Sequence, residues 1–68
     1  MKASIDGATL RKLREGMGIS QERLAARAGL TMQTVSRIER GKVNISHPLT
    51  IVALAKALDV DAQLLMAR

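Results

Sequence analysis

Few side chains in this sequence could do chemistry, and those few are hydrogen-bonding groups rather than catalysts. There is no cysteine and a single histidine, His47, so a thiolate, a metal cage and an imidazole-based triad are all out of reach. The carboxylates are scattered, no serine has a histidine partner, and no phosphate-cradling loop is present. No enzyme, cofactor or metal site is expected, and His47 beside Pro48 reads as a loop or cap residue. Among the hydrogen-bonding side chains are Gln33 and Arg37, four residues apart, a spacing that puts both on one face of a helix. A glutamine amide pairs bidentately with adenine, and a guanidinium with N7 and O6 of guanine.

The elements that would position this pair follow from helical spacing and helix punctuation. Asp6 caps a first helix with Leu10, Leu13 and Met17 as its buried stripe, ended by Gly16 and Gly18. Ser20 caps a second, Gln21 to Ala28, with Glu22 in its first turn and Leu24, Ala25 and Ala28 facing inward; Gly29 stops it. Thr31 starts a third, Met32 to Arg40, which buries Val35 and Ile38 and ends at Gly41. Steps of about 100° from Val35 place Ile38 and Glu39 on its inner side with Met32 at the edge. Gln33, Arg37 and Arg40 fall on the outer side, flanked by Thr34 and Ser36. A looser stretch, Lys42 to His47, leads to Pro48 at the first position of a fourth helix. Leu49, Ile51, Val52, Leu54, Ala55 and Leu58 make that helix apolar on more than one side. Asp61 caps a fifth, carrying Leu64, Leu65 and Met66. No strand alternation or repeat is found. The fold class expected is all-α, a single five-helix domain over residues 1–68 with a core centred on Leu13, Leu24, Val35, Ile38, Leu54 and Leu58.

Charge and composition narrow the partner. The chain has 68 residues and a net charge of +5. Nine of its eleven Lys/Arg residues lie within residues 1–42, against four acids; residues 43–68 carry two of each. A basic portion joined to a neutral one suits a polyanion-binding face with a separate structural end. The absence of aromatic residues removes base-stacking platforms and argues against most single-strand binders. No apolar run approaches the ~18 residues of a membrane span, and the N-terminus has no hydrophobic signal region. A cytoplasmic location is expected.

The sequence resembles the phage-repressor and Cro-like helix-turn-helix regulators, the xenobiotic-response-element type. The matching stretches are Leu10-Arg11-Lys12-Leu13-Arg14, Gly18-Ile19-Ser20-Gln21-Glu22-Arg23-Leu24-Ala25, Ala28-Gly29-Leu30-Thr31, Thr34-Val35-Ser36-Arg37-Ile38-Glu39-Arg40-Gly41 and Leu54-Ala55-Lys56-Ala57-Leu58. The resemblance covers roughly Thr9 to Leu65. It departs at Gly41 to Thr50, about one residue longer than is common, and at Asp59, where many members have glycine. It implies a lambda-repressor-like domain whose helix-turn-helix, about residues 21–40, binds duplex DNA as a two-fold dimer on a palindromic operator.

In that reading the recognition helix, about Met32–Arg40, enters the major groove. Gln33 and Arg37, with Thr34, Met32 and Ser36, meet base edges. Ser20, Gln21, Thr31, Arg40, Lys42 and Asn44 meet phosphates. The resemblance also gives Gln21 a bracing role toward the glutamine of the next helix. For Glu39, a carboxylate beside the core stripe, it supplies Arg14 as an ion-pair partner. Val60, Leu64, Leu65 and Met66 offer the neutral C-terminal end as a dimer interface. The competing expectation is an antitoxin-like or controller protein whose main role is to bind a protein partner.

Overall fold

The computed structural model describes residues 3–43 and 45–66. Among them are four α-helices: α1 (Gly7–Gly16), α2 (Gln21–Ala28), α3 (Met32–Glu39) and α4 (Pro48–Leu58). Each begins at a side chain that accepts an otherwise orphaned backbone N–H. Asp6 serves Ala8 and Thr9, Ser20 serves Arg23, Thr31 serves Thr34, and His47 Nδ1 serves Leu49. Pro48 occupies the start of α4, where a missing N–H costs nothing.

The expected fifth helix is corrected to a single 3-10 turn, Ala62–Leu65. Asp61 does cap it, accepting from Gln63 N–H at 2.9 Å. The turn stops because the Leu65 carbonyl accepts the Asp6 N–H at 2.7 Å, and Met66 is extended and bridges Ile5. A segment this short has too few internal bonds to resist such pulls.

The expectation of no strand is also corrected. β1 (Ala3–Ser4) pairs antiparallel with β2 (Ile45–Ser46), Ala3 opposite Ser46 and Ser4 opposite Ile45. Two-residue strands are too short to show alternation. They form because extended backbone against a small core needs partners for its N–H and C=O groups.

The core is aliphatic: Ile5, Leu10, Leu24, Ala25, Val35, Ile38, Ile51, Leu54, Ala55, Leu58 and Leu65 are buried. Leu13, expected at its centre, is half-buried against it, and Met17, expected in the α1 stripe, is exposed. Met17 lies beyond the last turn of α1, where the chain turns toward α2. Leu49, read as part of an apolar helix, is 72% exposed. It sits in the first turn of α4, before the helix reaches the core with Ile51. No described helix is long and apolar enough to cross a membrane.

Candidate nucleic-acid interface

The corner between α2 and α3 is set by one left-handed residue and two caps. Gly29 closes α2 at φ 71°, ψ 29°, a conformation costly for any residue with a Cβ. Leu30 N–H returns to the Ala25 carbonyl at 2.8 Å, and two residues later α3 begins. Leu24 and Ala25 on α2 and Val35 and Ile38 on α3 are all buried, so apolar packing locks the pair at its angle.

A second lock is polar. Arg14 Nε donates to Glu39 Oε2 at 2.7 Å and Arg14 Nη2 to Glu39 Oε1 at 3.1 Å, a bidentate fork. Arg14 Nη1 donates to the Ile19 carbonyl at 2.7 Å. The two side chains are 12% and 2% exposed. The Glu39 hydrogen bond raises the Arg14 pKa above its ordinary value, against the opposing effect of burial. Gln21 joins the group, with Nε2 donating to Glu39 Oε1 at 3.0 Å, whereas the resemblance pairs it with the glutamine of the next helix, Gln33. α1, α2 and α3 are thereby tied at one point, and no buried polar side-chain atom among the described residues lacks a partner.

With its inner side occupied, α3 presents its outer side. Gln33, Arg37 and Arg40 are exposed, Thr34 and Ser36 are half-buried, and Met32 is 48% exposed. Thr34 is also oriented. Its hydroxyl lies 3.0 Å from that of Thr31, which in turn accepts the Thr34 N–H at 3.2 Å. Ser20 and Thr31 at the helix starts and Lys42 just past α3 are exposed, and Gln21 is half-buried. Arg40 Nε lies 3.4 Å from the Ser36 carbonyl. Asn44 lies outside the described residues. The face is a basic, hydrogen-bonding ridge with a rigid back.

The C-terminal residues divide. Leu64 is 56% and Met66 38% exposed, and Val60 is half-buried against the core. Leu65 is fully buried and so has no surface to contribute to an interface; the turn that exposes Leu64 points its neighbour inward. Leu49, like Met17, is an exposed apolar residue that sequence reasoning placed in the core. Polar links were missed as well. The Thr31–Thr34 spacing of three residues was a legible sign of the hydroxyl pair, whereas nothing local announces the Gln21–Glu39 bond across eighteen residues.

Comparisons agree with this geometry. A family model described as helix-turn-helix matches residues 10–65. The transcriptional repressor RghR of Bacillus subtilis is 40% identical over 60 residues, covering 88% of this chain and 44% of that protein. This chain thus matches less than half the length of that relative. The restriction-modification controller protein C.AhdI from Aeromonas hydrophila superposes with a TM-score of 0.80 at 43% identity, covering 85% of this chain and 86% of that one. SinR, a master regulator for biofilm formation solved in complex with DNA, superposes with a TM-score of 0.83 at 25% identity, covering 87% and 94%. The match over residues 10–65, on a structure whose corner has this geometry, shows that the chain belongs to the helix-turn-helix family, in its phage-repressor and Cro-like group of transcriptional regulators.

Proposed function

We propose that this chain regulates transcription by binding duplex DNA sequence-specifically, with α3 in the major groove. The observation that carries the reading is that Gln33 and Arg37 are exposed one turn apart on a helix whose opposite side is fixed by Val35, Ile38 and Glu39. Both groups match purine edges bidentately. A fixed back is what separates reading from mere attraction, because base contacts demand a defined pose and phosphate contacts do not. Met32, Thr34 and Ser36 flank the reading pair. The helix starts at Ser20, Gln21 and Thr31 offer backbone N–H groups and hydroxyls to phosphates, and Arg40, Lys42 and Asn44 offer side chains.

Dimerisation belongs to the same reading. Leu64 and Met66, with the edge of Val60, form the pairing surface; Leu65 is withdrawn from it. Two-fold pairing there sets recognition helices about 34 Å apart, one turn of duplex, on a palindromic operator. A regulator of this kind works in the cytoplasm. The alternative, a controller or antitoxin-like protein whose principal ligand is another protein, draws on the exposed Leu49. Selection from a random duplex library tests the reading. Enrichment of two inverted half-sites about one turn apart is the expected result. Failure to enrich any sequence would refute it.

A further inference from the structure

Gly7, the first residue of α1, takes no part in the contacts described so far, yet it touches α3 more closely than any side chain could. A Cβ built on it would overlap the Ile38 carbonyl oxygen and lie 2.9 Å from the Ile38 carbonyl carbon and 3.2 Å from Glu39 Cα. All three are backbone atoms of the last turn of α3, so no flexible side-chain end can swing aside. The φ of Gly7 is not in the left-handed region; space alone demands glycine here. The Cα–H faces a helix-terminal carbonyl, a contact found where backbones meet.

Seven residues separate Gly7 from Arg14, close to two turns, so both lie on nearly the same side of α1, roughly 10 Å apart along its axis. Arg14 holds the Glu39 side chain, and Gly7 abuts the backbone just before it. The recognition helix is therefore gripped at its C-terminal turn twice by one helix, by attraction at one point and by a distance of closest approach at the other.

The Gly7 end of the grip is itself anchored. Asp6 N–H is bonded to Leu65 O, and Asp6 Oδ1 receives the N–H groups of Ala8 and Thr9. The α3 end instead leads into an exposed turn, and that turn carries the ligand-facing groups. Gly41 N–H donates to Ile38 O itself at 3.0 Å, and Lys42 N–H donates to Arg37 O at 2.9 Å. A side chain at residue 7 would push on the carbonyl from which this turn hangs.

We infer that Gly7 is a positioning residue for DNA recognition: its bare Cα sets how near the last turn of α3 lies to α1, and so where Arg37 and Lys42 meet DNA. This rests on the DNA-binding reading above. The test is Gly7→Ala, with Gly16→Ala as control, since a Cβ at Gly16 meets nothing within 4 Å. Affinities are measured on a selected operator and on a scrambled duplex. Partial unfolding lowers both apparent affinities by the same factor, so their ratio reports the pose of the helix and not the stability of the fold.

The ratio should fall by about tenfold in Gly7→Ala, the scale of one lost base contact, and stay at the wild-type value in Gly16→Ala. Amide shifts in Gly7→Ala should concentrate at residues 37–42. An unchanged ratio, or a variant that does not fold at all, would assign Gly7 to the fold alone and overturn the inference. Wild-type protein with no operator preference would instead sink the underlying reading.

Discussion

Residues 20–40 and residues 59–66 start from the same sequence signals and end in different structures. Both open on a short polar cap, Ser20 or Thr31 in one and Asp61 in the other, followed by apolar residues at helical spacing. In the first region those signals produce α2 and α3 as expected. In the second they produce one 3-10 turn and an extended residue. The difference lies in what else holds the backbone. α2 and α3 are eight residues each and bury an inner face against one another, with α2 also packed on α4 and α3 on α1. The C-terminal turn is instead claimed from outside, by Asp6 N–H on the Leu65 carbonyl and by Ile5 pairing with Met66. Local signals decide where a segment is long enough to carry its own core face; non-local bonds decide where it is not.

Removing core atoms sharpens this contrast most strongly. Leu54→Ala and Leu65→Ala each leave a cavity among fully buried neighbours and should cost about 2–5 kcal/mol. Leu64→Ala, one residue away and 56% exposed, should stay within about 0.5 kcal/mol. Urea unfolding of the three variants at low concentration measures this. Equal losses at Leu64 and Leu65 would break the account of which side of the turn faces inward.

The Arg14–Glu39 fork comes next, since either partner alone is left as a poorly solvated charge. Glu39→Ala should cost about 3–5 kcal/mol, far above the ~1 kcal/mol ceiling of an exposed pair. Arg11–Glu15, at 3.2 Å on the surface of α1 with side chains 62% and 53% exposed, supplies that comparison. Glu15→Ala should be near neutral in the same unfolding series.

Helix caps contribute less. Ser20→Ala should destabilise by roughly 0.5–2 kcal/mol. Asp6 adds a pH signature. The backbone N–H and hydroxyl of Thr9 hold its carboxyl below the ordinary aspartate value, so the folded state favours the charged form. The stability this adds is present above the ordinary aspartate range and is lost as pH falls through the depressed value. The acid limb of the Asp6→Asn unfolding profile should therefore be flatter than that of wild type.

The helix starts, the Gly29 stop and the two faces of α3 were legible because each is written in residues no more than four apart. The ion pair was legible only through the family resemblance. The β1–β2 pairing, the Ile5–Met66 bridge, the Asp6–Leu65 bond that accompanies the burial of Leu65 and the Gly7 contact join residues 31 to 61 positions apart, and no periodicity records them. Leu49 was misplaced for a related reason: hydropathy marks it as core, but its position in the first turn of α4 leaves it outside.

The claim at the centre of this account is that the outer face of α3 specifies while its surroundings position. A salt titration of wild type, Arg37→Ala and Lys42→Ala on operator and scrambled duplexes tests it most directly. Arg37→Ala should lose about 1–3 kcal/mol on the operator, little on the scrambled duplex, and relax preference at one base pair per half-site. Lys42→Ala should weaken both duplexes alike and lower the salt slope by roughly 0.9 per lost phosphate contact. If Arg37→Ala weakened both duplexes equally while Lys42→Ala changed the sequence preference, the assignment of this face would be wrong.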